Sequence, residues 1–253
     1  MKLIILAAGQ GTRLRPYTNT KPKCMVELKG KPLLNYQLDT IRKCGFKQQD
    51  LALVAGYLHE AIVAPNITQY RNDFFAETNM VTTLFSAEEF MSDADDLIIS
   101  YGDIVYSTEV LEKLLATEGD LVVAADLDWY DLWKLRMENP LDDAETFKID
   151  EKGNITELGK KPAVYDEVQA QYIGLIKIST KKVSDFIHHY HTMDKNGNYD
   201  GRDFNNMYMT SLIQSLIDIG WDVRPAFINR GWIEVDSVED LRIYENQKNP
   251  LFC

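Results

Sequence analysis

The sequence predicts an α/β chain: a Rossmann-like, mostly parallel but mixed central sheet with helices on both faces, plus a small β-rich and helical subdomain. Three observations carry this. Short apolar runs recur at Leu3–Leu6, Leu51–Ala55, Leu97–Ser100 and Leu121–Ala125, too short for helices and too uniformly apolar for a sheet with one wet face. Segments with helical spacing separate several of these runs, the alternation of βαβ units. The first run ends on a glycine-bearing loop, Gly9-Gln10-Gly11, and ligands of open α/β sheets sit beyond the carboxyl ends of strands.

The remaining elements follow in order. Pro32–Cys44 carries Leu33, Leu34, Leu38 and Ile41 at helical spacing, and Gly45 is its stop signal. Met80–Met91 is predicted as one helix, with Met80, Leu84, Ala87 and Met91 near one stripe. From about residue 126 the texture turns aromatic and charged, in DLDWYDLWKLRMENPLDDAE. Phe147–Asp150 and Ile155–Leu158 flank KGN as a hairpin, and Gln171–Ile178 is a further strand. Amphipathic helices are expected over Lys181–His191 and Asn206–Gly220, then a strand at Asp222–Ile228 and a last helix from Ser237.

Composition excludes several classes. The 253 residues include 27 Lys+Arg against 39 Asp+Glu, a formal charge of −12, with a sequence pI of about 4.8. So acidic a chain has no broad basic face for nucleic acid. Any phosphate must be met by a few local cations, backbone amides or a metal. The opening MKLIILAAG breaks at glycine too early for a signal peptide, and no run approaches the ~18 apolar residues of a membrane span. Cys24, Cys44 and Cys253 have no metal-like spacing and are expected to be reduced thiols of a cytoplasmic protein.

Gly9 and Gly11 let backbone N–H groups approach phosphate oxygens, Arg13 can add a bidentate fork and Lys23 a point charge. The dinucleotide fingerprint fails because position 14 is leucine, and no G-K-[ST] makes a P-loop. Transfer at phosphorus also needs a cation, and Mg²⁺ prefers carboxylate oxygens. Asp103 in ISYGDIVY and the pair Glu234 and Asp236 in WIEVDS are the carboxylates that stand out. Glu234 and Asp236 share a strand face by the period of two. His59, His188, His189 and His191 fit no triad.

The whole string LAAGQGTRLRPYTNTKPKCMVELKGKPLL resembles the signature of the nucleotidyltransferases that join an NTP to a small phosphate. The resemblance covers Met1 to about Glu245. It implies that Leu6, Ala7, Ala8, Gly9, Gln10, Gly11 and Thr12 wrap the triphosphate, that Lys23 lies beside the reacting phosphates and that Arg13 grips the departing pyrophosphate. GWIEVDSVEDL is similar to the family's second acidic element, which implies Asp103, Asp236 and Glu234 as Mg²⁺ ligands. Asp240 is expected on a helix surface or as a cap.

AETNMVTTLFSA and VAGYLHE are similar to the base-reading segments of the bacterial CTP:phosphocholine cytidylyltransferases, within a CTP:phosphocholine and CTP:phosphoglutamine cytidylyltransferase branch. That implies Gly56, Tyr57, Asn79 and Met80 around the base, with Thr78 capping the next helix. Trp129 and Trp133 share a helix face and could cage a quaternary ammonium. LWKLRMENPLDDAETFKI through QYIGLIKIS is closer to the phosphoglutamine enzymes of capsule biosynthesis. An amino-acid-like acceptor needs partners for a carboxylate (Arg136, Lys160 or Lys161) and for an ammonium (Asp126, Asp142 or Glu145), with Gln171 and Tyr172 facing it. The expected division is a nucleotide-binding core at 1–125, acceptor-binding strands at 126–178, and C-terminal helices with the metal-carboxylate strand at 179–253. Expected partners are CTP and a small phosphorylated acceptor, with room for a homodimer and no role for nucleic acid or a membrane. A sugar-1-phosphate nucleotidylyltransferase is the rival enzyme, and a nucleotide-sensing subunit of the same fold the rival without catalysis.

Overall fold

The computed structural model describes residues 1–248, so Cys253 lies outside the described residues. The seven strands of the main sheet are β1 (Lys2–Ala7), β2 (Leu51–Ala55), β3 (Thr68–Arg71), β4 (Leu97–Tyr101), β5 (Leu121–Asp126), β6 (Gln171–Ile178) and β7 (Val223–Ile228). They lie in the order β7-β5-β6-β4-β1-β2-β3. β1 pairs in parallel with β2 and β4, β2 with β3, and β5 with β7. β6 runs antiparallel to both neighbours, β4 and β5. The sheet is therefore mixed, as expected. Its last inserted strand comes from the 126–178 segment, yet it sits inside the main sheet.

Strand pleating sends alternate residues to opposite faces. Leu3, Ile5 and Ala7 enter one core, packed against α1 (Leu33–Lys43), α4 (Thr108–Ala116), α5 (Trp129–Arg136) and α8 (Val238–Asn246). Ile4 and Leu6 enter the other, with α2 (Met80–Phe85), α3 (Glu88–Ser92), α6 (Val183–Thr192) and α7 (Met209–Asp218). Burial on both faces explains why these strands are apolar throughout. Among the described residues no helix is long and apolar enough to cross a membrane.

Two predicted helices are corrected. Met80–Met91 divides into α2 and α3, because the Ser86 hydroxyl bonds back to the Thr82 carbonyl at 3.1 Å and Ala87 leaves helical dihedrals at φ −108°, ψ 26°. The helix expected from Asn206 begins at Met209, because Asp203 caps a separate 3-10 turn, Phe204–Asn206, by accepting from the Asn206 amide. Three small pairings complete the fold. Phe147–Ile149 and Ile155–Leu158 form the expected hairpin, and Glu27–Leu28 pairs with Lys31–Pro32. Ile104–Tyr106 pairs antiparallel with Trp232–Glu234, setting Glu234 opposite Ile104. The Val235 amide then donates to the Asp103 carbonyl at 3.1 Å. That short ribbon brings the two acidic motifs together.

Candidate active site

β1 ends at Ala7 and the chain turns through Gly9 and Gly11. Gly11 adopts φ +59°, and a Cβ there would lie 3.0 Å from both Lys23 Cβ and Thr18 Cγ2. The Thr18 hydroxyl donates to the Gly11 carbonyl at 2.8 Å. The Tyr57 amide donates to the Ala8 carbonyl at 3.1 Å, and its hydroxyl to the Thr18 carbonyl at 3.0 Å. Gly56 has no room for a side chain, since a Cβ would stand 2.7 Å from Phe75 Cβ and 2.9 Å from the Ala8 oxygen. Gly56 and Tyr57 thus brace the loop from behind rather than line a base pocket. On the far side, the Gly102 amide donates to the Leu6 carbonyl at 2.8 Å.

Beyond these strand ends lies a cavity lined by Leu6, Ala7, Ala8 and Gly9, by Thr78, Asn79 and Met80, and by Lys23 and Asp103. Gln10, Gly11, Thr12 and Arg13 lie in the loop outside that lining. Phe75, Thr83 and Tyr101 also line it and escaped the sequence reading. Phe75 follows the break Asn72-Asp73, a signal too slight to single it out. The cap of α2 is Asn79, whose side chain accepts from the Met80 amide at 2.8 Å. Thr78, expected in that role, donates instead to the Phe74 carbonyl at 2.8 Å and accepts from Asn72 at 2.9 Å.

Within this lining, Lys23 Nζ donates to Asp103 Oδ2 at 2.7 Å, and it also reaches Asp236 Oδ1 at 2.6 Å. Arg13 pairs with the other Asp236 oxygen. Burial alone would lower the Lys23 pKa, but Asp103, Asp236 and Glu234 together hold it above its ordinary value. Lys23 is therefore charged at any physiological pH. The Glu234 carboxyl pKa is raised as well: burial pushes it up, Arg136 and Lys23 oppose this, and Asp103 and Asp236 add to it.

Oxygen donors from carboxylates suit a hard cation such as Mg²⁺. Asp103 and Asp236 both offer oxygens to one cationic position, taken by the Lys23 ammonium. Asp103 Oδ1 is buried and has no hydrogen-bond partner, an orphan that a cation would satisfy. This donor pair fits a divalent ion. Glu234 stands apart, engaged by Arg136 Nη1 at 2.9 Å, and among the described residues no cluster of three or more His, Cys, Asp or Glu is arranged to hold a metal.

A second cavity adjoins the first, sharing Met80 and Tyr101 as its wall. The Tyr101 hydroxyl meets Met80 Sδ at 2.8 Å there. Trp133, Glu145, Gln171, Tyr172 and Glu234 line this second space, five of the residues singled out from the sequence. Gln171 accepts from the Glu145 amide at 3.3 Å and so holds that segment against β6. Burial, then Asp143, Glu234 and Asp200, push the Glu145 carboxyl up to about 7.

Other candidates fall elsewhere. Arg136, expected to meet an acceptor carboxylate, is only 4% exposed at its side chain and is locked to Asp240 at 2.8 Å as well as to Glu234. Asp240 completes the capping box of α8 with Ser237 and is buried. Trp129 and Trp133 meet edge to face at 6.1 Å, but the Trp129 indole donates to the Val168 carbonyl at 3.2 Å and lies outside both cavities. No two-tryptophan cage forms. Lys160 is half exposed beside Glu157 at 3.4 Å, and Lys161 is anchored on the Leu141 and Asp142 carbonyls. Asp126 is fully buried, accepting from the Trp232 indole at 2.8 Å.

A mixed sheet with a glycine loop, a buried lysine and two facing aspartates at its strand ends defines a nucleotidyltransferase. The chain belongs to the MobA-like NTP transferase domain family, whose match spans residues 3–155. It is 41% identical over 253 residues to a CTP:phosphoglutamine cytidylyltransferase of Campylobacter jejuni, covering 96% of this chain and 98% of that protein. It is 36% identical over 107 residues to a choline-phosphate cytidylyltransferase of Streptococcus pneumoniae, covering 39% of this chain and 46% of the other. In fold it is similar to the CTP:phosphocholine cytidylyltransferase of Streptococcus pneumoniae (TM-score 0.68, 20% identity, 96% and 97% of the two chains). It is likewise similar to the inositol-1-phosphate CTP transferase of T. maritima (TM-score 0.70, 20% identity, 96% and 94%).

Proposed function

We propose that this protein is a Mg²⁺-dependent cytidylyltransferase that moves CMP from CTP to phosphoglutamine or a closely related amino-bearing phosphate, releasing pyrophosphate. One observation carries the reading: Lys23, held between Asp103 and Asp236, lines the same cavity as Ala7, Ala8 and Gly9 at the start of the glycine loop. The identity to the Campylobacter jejuni enzyme over nearly the whole of both chains supports CTP and phosphoglutamine as the pair. CTP as substrate also favours a cytoplasmic setting.

In this reading the loop amides and Arg13 meet the β- and γ-phosphates, and Lys23 lies against the α-phosphate. An acceptor phosphate needs no general base, since its second pKa of about 6 leaves it largely dianionic near neutral pH. One of its oxygens attacks the α-phosphorus in line, the bond to the α–β bridging oxygen breaks, and pyrophosphate leaves with that electron pair. Lys23 is fixed by two partly buried carboxylates, so its charge is in place before the reaction and reorganises little during it. Mg²⁺ held by Asp103 and Asp236 would neutralise phosphate charge.

The test is pyrophosphate release over a matrix of nucleotides and acceptor phosphates with Mg²⁺. Release with CTP and phosphoglutamine is expected; release only with UTP and glucose 1-phosphate would assign the sugar-phosphate reaction instead. An Asp103→Asn, Asp236→Asn double variant with full activity would remove the metal assignment.

A further inference from the structure

The second cavity has an unusual charge balance for a chamber that must receive a phosphate. Its ionisable lining includes Asp143, Glu145 and Glu234, and neither lysine nor arginine is among the lining residues. Two guanidiniums touch the lining from outside: Arg136 is committed to Glu234 and Asp240, and Arg202 donates to the Tyr208 hydroxyl at 2.8 Å. Glu234 therefore has a cation already, whereas Glu145 has no ion-pair partner among the described residues. Its charge reaches the hydroxyls of both Tyr101 and Tyr172, raising their pKa values behind the larger effect of burial.

Two donors in the same lining lack acceptors. Trp133 is 3% exposed and its Nε1 is buried with no hydrogen-bond partner; Tyr172 is 7% exposed and its hydroxyl has only the neighbouring Tyr101 hydroxyl beside it, without a well-formed hydrogen bond. A buried donor left unpaired costs about 1–3 kcal/mol, so such atoms mark where a ligand supplies the missing oxygen.

Resting on the cytidylyltransferase reading, we propose that Glu145 determines acceptor specificity by receiving the acceptor's ammonium, while Trp133 Nε1 and the Tyr172 hydroxyl donate to its carboxylate or amide oxygen. The acceptor is thus a phosphorylated zwitterion of the amino-acid class. A sugar phosphate carries no cation for Glu145. A phosphocholine carries the cation but no oxygen, apart from its phosphate, for the indole and phenol. The sequence expectation that Arg136 meets the carboxylate is replaced by these two neutral donors.

The experiment separates binding from turnover. Phosphoglutamine, its analogue lacking the α-amino group, and phosphocholine are titrated calorimetrically into enzyme loaded with a non-hydrolysable CTP analogue, for wild type, Glu145→Gln and Trp133→Phe. Loss of one buried charge-assisted contact is expected to weaken phosphoglutamine by about tenfold or more in Glu145→Gln, with the CTP analogue bound as in wild type. The desamino analogue binds wild type and Glu145→Gln equally weakly, and Trp133→Phe weakens phosphoglutamine but not phosphocholine. Unchanged phosphoglutamine affinity in Glu145→Gln, or no measurable binding of phosphoglutamine to wild type, overturns the proposal. If binding behaves as expected but CTP gives no pyrophosphate, the cytidylyl reading fails and the specificity assignment stands. If CTP turns over normally and Glu145→Gln leaves the acceptor KM unchanged, the assignment fails alone.

Discussion

Lys23 Nζ stands 2.7 Å from Asp103 Oδ2, joining residues 80 positions apart. The same ammonium reaches Asp236, 213 positions away, at 2.6 Å. One side chain thus neutralises two partly buried carboxylates and ties the first glycine loop to both acidic motifs.

Replacing Lys23 removes that neutralisation. In Lys23→Met the two aspartates face each other with Arg13 on one of them alone, and unpairing a buried ion costs about 3–5 kcal/mol. A lowered Tm is expected, partly restored by millimolar Mg²⁺ as the carboxylates regain a cation. kcat should fall by about 100-fold or more, the scale for losing one preorganised charge. Thermal melts with and without Mg²⁺, beside pyrophosphate release, check both parts.

Arg136 is predicted to act on stability and not directly on substrate. Arg136→Leu leaves Asp240 and Glu234 without their cation, a loss of about 3–5 kcal/mol in denaturant unfolding. Arg136→Lys keeps the charge but not the fork that meets Glu234 and Asp240, and an intermediate loss is expected. A guanidinium that bound acceptor would show the reverse pattern, a large rise in acceptor KM with an unchanged unfolding midpoint.

Gly102 tests the close approach of β4 to β1. A Cβ there would stand 2.5 Å from the Leu6 carbonyl oxygen, so Gly102→Ala must push the two strand ends apart. Overpacking of this kind costs about 1–3 kcal/mol. Because Leu6 and Asp103 both line the cavity, CTP affinity measured by calorimetry should fall together with Tm.

Glu145 makes stability depend on pH. Its folded pKa is raised from the ordinary 4.5 to about 7, so the folded state holds the proton more tightly than the unfolded chain. The stabilisation this gives is fully present below about 4.5 and is lost as pH rises through about 7. Glu145→Gln cannot titrate. Its Tm relative to wild type should therefore increase across that window, and a constant difference would count against the buried, charged-neighbour environment described for Glu145.

The glycine loop, Lys23, Asp103 and Asp236 were legible in the sequence because each belongs to a contiguous string with few alternative meanings. Apolar strands and the longer helices were legible for a similar reason, their burial on both faces or along one stripe. What was hidden depends on pairings between distant short segments. Ile104–Tyr106 and Trp232–Glu234 are three residues each, too short to show a period, yet they bring Asp236 to Asp103. Thr68–Arg71 is a polar edge strand, and an edge does not require apolar residues. Arg136 looked free because its partner Asp240 is 104 positions away and was read only as a surface or capping residue.

The central claim is cytidylyl transfer to an amino-bearing phosphate, and phosphorus NMR of one reaction tests it most directly. With CTP, phosphoglutamine, Mg²⁺ and enzyme, the account predicts a new CDP-linked product growing in equal amount with pyrophosphate. CMP appearing without a CDP-linked product, or product forming only from UTP and glucose 1-phosphate, would contradict it.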